Sequence, residues 1–157
     1  MNKKIILKSL IFLSFLTLSF AYFVEFILGH EPCSLCKIER IPYIGSIILG
    51  SLLLFINRWE KIILIMILLL FVFGSVISLY HIGIEQSIFS ESFLCELGIN
   101  NNIQNPNELL KTLEKTPISC KDVTFKIFGL SLATFNAVLS IVISYILFKL
   151  ILKNEQN

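Results

Sequence analysis

Four long, nearly uncharged runs separated by short polar breaks limit what this 157-residue chain can fold into. A helix that crosses a bilayer needs roughly 20 predominantly apolar residues. The first run, 9–28, carries Glu25 as its one charge. The second, 41–56, is short at 16 residues, unless its helix begins upstream among residues 33–40. The third, 62–84, contains no acid or base except His81, and the fourth, 127–148, contains none. Charged residues make up 15% of the chain, against about 25% in soluble domains, which argues against a water-soluble fold. The expected architecture is all-α: one integral-membrane four-helix bundle, with too few residues left over for a second domain. A net charge of +2 is too small and too dispersed for nucleic-acid binding. Fourteen Phe and a single Trp fit lipid-facing helices.

Four crossings return both termini to one side. Residues 1–8, 57–61 and 149–157 on that side hold seven Lys or Arg in 22 positions, whereas 29–40 and 85–126 hold six in 54. The positive-inside rule makes the termini and the 57–61 turn cytoplasmic, with Trp59 as an interfacial anchor. Lys3 and Lys4 precede an apolar stretch, as in a signal peptide. The stretch outlasts an h-region of about 7–15 residues and no A-x-A-like site follows, so the first run is expected to remain as a span.

The opposite side then has a short loop, 29–40, and a loop of about 40 residues, 85–126, too long for a passive connector. Within the long loop, Leu109, Leu110 and Leu113 share one helical face after Pro106. This reads either as a short amphipathic helix on the membrane surface or as a solvated helical turn.

All four cysteines fall in these two loops: Cys33 and Cys36 in the short one, Cys95 and Cys120 in the long one. Every thiol is therefore in the compartment where disulfides form and persist. Cys33-Ser34-Leu35-Cys36 is a C-x-x-C preceded by Pro32, a residue favoured in the first turn of a helix. Both thiols are thus expected near a helix N-terminus, where the partial positive charge stabilises a thiolate. Arg40 follows Cys36 by four residues, one turn along, as a cation for a thiolate or a reduced cofactor. Lys37 and Glu39 read as solvated loop charges. Two structural disulfides, a zinc site using all four cysteines and independent free thiols are the competing readings. A pair two residues apart closes a strained, readily reduced ring. Cys95 and Cys120, 25 positions apart, lack the close spacing of a second zinc pair. Dithiol–disulfide exchange is the favoured chemistry.

The segment Pro32-Cys33-Ser34-Leu35-Cys36-Lys37-Ile38-Glu39-Arg40 resembles the C-x-x-C-x-x-E-R hallmark of the bacterial DsbB, or disulfide bond formation protein B, family. Leu79-Tyr80-His81-Ile82-Gly83-Ile84-Glu85, and Phe128-Gly129-Leu130-Ser131-Leu132 with Asn136, are similar to two further blocks of that family. The resemblance implies an inner-membrane thiol:quinone oxidoreductase that drives disulfide formation in exported proteins. It implies that Cys95 forms a mixed disulfide with a periplasmic DsbA-like dithiol protein and that Cys120 pairs transiently with Cys33. Cys36 then faces a bound quinone, ubiquinone or menaquinone, with Arg40 stabilising the developing negative charge. His81 is a candidate for a quinone-side or proton-handling role, the alternative being a plain interfacial position. Glu85 has a weaker claim, and Glu25, Ser131 and Asn136 read as interface or helix-packing residues. Vitamin K epoxide reductase-like enzymes also couple thiols to quinone across four spans, but their isolated pair precedes the C-x-x-C. Here the C-x-x-C comes first.

Overall fold

The structure is a computed structural model and describes residues 3–55, 59–90, 120, 126–127 and 129–155. The amphipathic segment expected at 107–115 and Cys95 lie outside these residues, as do Arg58 and the rest of the long loop apart from its ends and Cys120. Among the described residues, five helices and a small hairpin follow in order: α1 (Lys3–Phe26), α2 (Ser34–Ile38), α3 (Ile41–Phe55), α4 (Glu60–Glu85), β1 (Lys126–Ile127), β2 (Leu130–Ser131) and α5 (Leu132–Glu155).

Four stretches among the described residues are long and apolar enough to cross a membrane: Ile5–Phe26, Ser34–Phe55, Glu60–Glu85 and Leu132–Leu152. The chain is a multi-pass membrane protein with the four-helix architecture expected from hydropathy. The second span reaches 22 residues because the helical course starts at Ser34, with a break at Glu39 and Arg40. The helix of the fourth span, α5, starts at Leu132, five residues after the apolar run begins. Lys126 and Ile127 instead pair antiparallel with Ser131 and Leu130. Gly129 turns that hairpin with a φ of +81°, in the left-handed region where a side chain is strained. Ser131 then caps α5, its Oγ accepting the Thr134 N–H at 3.3 Å.

In a bilayer, helices gain little from burying apolar groups against each other, so close packing and polar contacts hold the bundle. α4 packs against α5 and α3, and α3 against α1. Gly74 is where α3, α4 and α5 come close: a Cβ there would stand 2.8 Å from Pro42 Cγ and 3.6 Å from Ser140 Oγ. Ser14 and Ser46 link α1 to α3 through their hydroxyls at 2.8 Å. An apolar core including Leu10, Tyr43, Leu64, Ile67, Phe71 and Leu147 fills one part of the bundle. A second, smaller cluster brings together Cys33, Leu35, Ile84 and Cys120. Phe12, Phe15, Phe55 and Tyr145 are among the exposed residues on the outside, the faces that meet lipid.

Candidate functional site: two thiols between a cavity and a buried histidine

α2 places both short-loop thiols. Its five residues bury Leu35 completely and leave Lys37 exposed, so the turn is pinned to the end of α4 by one leucine. Cys33 is the N-cap, and its Sγ accepts the Cys36 N–H at 3.3 Å. The two sulfurs stand 2.7 Å apart as free thiols. Cys120, by contrast, is in a disulfide, and neither Cys33 nor Cys36 is its partner.

Cys33 faces inward. It is 7% exposed, and His81 Nε2 lies 3.6 Å from its Sγ. The hydrogen bond from the Cys36 thiol, reinforced by His81, pulls the Cys33 thiol down from 9.0 to about 4, against the opposing effect of burial. The Cys36 N–H contributes less, so side chains rather than the helix end make most of the thiolate stabilisation.

His81 is held from its other side. Its Nδ1 is 2.9 Å from Glu39 Oε1, and Glu85 Oε1 is 3.8 Å from Nε2. Glu39 is itself 7% exposed and takes a second hydrogen bond from Asn136 Nδ2 at 3.0 Å. This corrects the reading of Glu39 as a solvated loop charge: the break after Ile38 turns its carboxylate into the bundle, where two donors meet it. Asn136 also donates to Ser78 Oγ at 2.6 Å and accepts from the Tyr43 hydroxyl. One buried polar network therefore ties the α2–α3 junction to α3, α4 and α5. Asn136 is its centre rather than a simple packing residue.

Cys36 faces the other way. It lines a cavity of about 380 Å³ together with Glu39, Arg40, Tyr43 and Asn136 at the polar end. Leu16, Phe20, Val24, Phe135 and Leu139 form apolar wall between α1 and α5. Such a space suits an apolar ring compound whose polar atoms meet Cys36, Arg40 and Asn136. Arg40 is already engaged: its Nη1 donates to Glu25 Oε2 at 2.5 Å, and its guanidinium lies 4.8 Å from the Tyr22 ring centroid. Glu25, expected as an interface residue, is the counter-ion of the cavity's arginine.

The structure thus brings together Cys33, Cys36, Arg40 and His81, with Cys120 in the same buried cluster as Cys33. His81 adjoins Cys33 and is not among the cavity-lining residues. Tyr43 and Ser78 have no place in the sequence reading, and Glu39, the acid of the C-x-x-C-x-x-E-R pattern, has one only as a solvated charge. One signal was present, because Gly74, Ser78, His81 and Glu85 recur at spacings of four, three and four and so share one face of a mostly apolar helix.

The comparisons with known proteins agree with this arrangement. Residues 3–150 match the family of disulfide bond formation protein DsbB. The chain is 33% identical over 136 residues to Uncharacterized protein RP370 of Rickettsia prowazekii (strain Madrid E), a match covering 84% of this chain and 78% of that protein. No solved structure matches. With Cys36 of the C-x-x-C on the wall of an apolar cavity and the disulfide-bonded Cys120 packed beside Cys33, the chain belongs to the DsbB family of the disulfide-forming machinery, whose members are thiol oxidoreductases.

Proposed function

We propose that this protein reoxidises a DsbA-like periplasmic dithiol protein and passes the electrons through Cys95 and Cys120, then Cys33 and Cys36, to a membrane quinone. It would do so in the bacterial inner membrane, with both termini cytoplasmic and both cysteine loops periplasmic, as the charge distribution favours. The single observation that carries this reading is the two-sided placement of the C-x-x-C. Cys36 opens onto the cavity, and Cys33 shares a buried cluster with Cys120.

The residues fit the acceptor. An apolar-walled space ends in Cys36, Arg40 and Asn136: a thiol, a guanidinium donor, and an amide whose own N–H groups are already given to Glu39 and Ser78. A quinone held there supplies a sink for two electrons and two protons, so oxidation of one dithiol yields one quinol. Arg40 provides fixed positive charge where negative charge develops, and Glu25 with Tyr22 holds its guanidinium in place. Glu39 accepts from His81 Nδ1 and so directs Nε2 at Cys33, the carboxylate–imidazole–thiol order of an activated cysteine. His81 thereby takes the Cys33 proton as the thiol becomes a thiolate. Thiolate at Cys33 makes the reduced pair more stable and the disulfide correspondingly more oxidising, the direction needed to accept electrons from a strong oxidant such as a DsbA-like donor.

The test is reconstitution in lipid with a reduced thioredoxin-like donor while quinone absorbance is followed. Quinol should form in step with donor oxidation. No response with either ubiquinone or menaquinone overturns the proposal.

A further inference from the structure

Cys33, Cys36 and His81 also form a donor set for a soft cation. Cys33 Sγ, Cys36 Sγ and His81 Nε2 all lie within 4.8 Å of one another. Zinc takes Cys sulfur at about 2.3 Å and His nitrogen at about 2.0–2.1 Å, which puts neighbouring ligand atoms of a tetrahedron roughly 3.4–3.8 Å apart. The separation of Cys33 Sγ and His81 Nε2, 3.6 Å, already has that value. The sulfurs must open by about 1 Å to reach it. Cys36, half-buried on the cavity wall, is the one with room to move.

The surroundings are as favourable as the ligands. Glu39 Oε1 at 2.9 Å from His81 Nδ1 fixes the tautomer in which Nε2 presents its lone pair, the carboxylate–histidine–metal order of zinc sites. Asn136 holds the other Glu39 oxygen, so the imidazole cannot swing away freely. Glu85 Oε1, 3.8 Å from the same Nε2, adds negative charge beside the site. Three protein ligands leave a fourth position for water.

We propose that the reduced protein captures one thiophilic cation of the Zn²⁺ class at Cys33, Cys36 and His81, with Glu39 behind the histidine, and that the disulfide form does not. The dithiol gives up its protons to solvent on binding and no electron moves. In the disulfide the same sulfurs are bonded to each other and have no thiolate to offer. A bound cation occupies both electron-donating sulfurs, so it stalls the dithiol until it leaves. This redox-gated inhibitory site rests on the side-chain placement and not on the identity of the electron acceptor.

The full chain in detergent, with Cys95 and Cys120 replaced by Ala so that only the C-x-x-C thiols remain, is titrated anaerobically with Zn²⁺ against a chromophoric chelator. The reduced protein should bind one Zn²⁺ per chain and the oxidised protein none. Co²⁺ in place of Zn²⁺ should give sulfur-to-cobalt charge-transfer absorption in the reduced form alone. His81→Ala, which removes a ligand, should weaken Zn²⁺ binding by about 100-fold or more, and Glu39→Gln about 10-fold, within the range of about 10–100-fold seen when the supporting partner of a metal ligand is lost. His81→Cys, which restores a donor at that position, should recover most of the affinity. Equal affinity of the His81→Ala and parent proteins would reduce the site to a bare C-x-x-C chelate and overturn the proposal. So would equal binding by the oxidised form, or no binding by the reduced one, and that redox comparison needs no change at the site itself.

Discussion

The two thiols of the C-x-x-C are neighbours in chain and space, yet they live in different surroundings. Cys33 is enclosed with Leu35, Ile84 and Cys120 and touches a histidine that is braced by a carboxylate. Cys36 looks onto a cavity with apolar walls and an arginine at its polar end. A symmetric environment would leave both sulfurs equally fit to meet protein or cofactor. On the proposed function this asymmetry divides the chemistry between them: Cys33 would exchange with protein thiols and Cys36 would deliver electrons to what the cavity holds. One short helix makes the division, because burial of Leu35 fixes the rotation of α2.

Breaking the Cys36 side should have the largest effect. Cys36→Ser is expected to abolish quinone reduction in the reconstituted assay, and normal turnover would remove Cys36 from the electron path. Breaking the Cys33 side should leave a different trace. In Cys33→Ala a mixed disulfide between Cys95 and the donor should accumulate, visible on a non-reducing gel after acid quench.

Next comes the brace on the Cys33 side. Glu39→Ala strands His81 Nδ1 and Asn136 Nδ2 inside the bundle, and each buried donor left unsatisfied costs about 1–3 kcal/mol. A matching fall in unfolding free energy in mild detergent is expected, with Glu39→Gln less affected because it keeps an acceptor. A Glu39→Ala protein as stable as its parent would show that the network contributes nothing to the fold.

Arg40→Ala sharpens the other side. Loss of a charged hydrogen-bond donor, worth about 1.5–3 kcal/mol, should raise the apparent KM for quinone roughly 10–100-fold while the KM for the donor protein stays within about twofold. A change shared equally by both would place Arg40 outside the cavity's chemistry.

The smallest change is one of pH. Because the Cys33 thiol is pulled down to about 4, its alkylation rate in the reduced protein should stay nearly flat between pH 7 and 5, where an ordinary thiol slows about tenfold per unit. The sign for stability follows the same direction. The folded thiol titrates below its usual 9.0, so the stabilisation of the reduced state by Cys33 is complete above that value. It is lost as the pH falls through about 4.

The four spans and the place of the C-x-x-C at a helix N-terminus were legible in the chain, because both depend on local features: run length and the residues that follow Pro32. Arg40 was legible for the same reason, lying one turn from Cys36. Glu39 was not. Its partners are 42 and 97 residues away, and an acid in a short polar loop reads as a solvated charge until packing brings a histidine and an asparagine to it. Glu25 escaped in the same way, since its pairing with Arg40 needs α1 and the α2–α3 junction to meet. The hairpin before α5 was hidden inside an apolar run, where Gly129 was the only local sign of a turn. Hydropathy finds the spans and cannot tell which polar residue within them will be paired.

The most direct test of electron transfer from the C-x-x-C to quinone needs no donor protein. The chain with Cys95 and Cys120 replaced by Ala is reduced, placed in lipid under anaerobic conditions and mixed with one equivalent of quinone, and both quinol and remaining thiols are measured. One quinol per chain is expected, with the lost thiols mapped by mass spectrometry to a Cys33–Cys36 disulfide. Quinone left unreduced beside an intact dithiol would contradict that transfer.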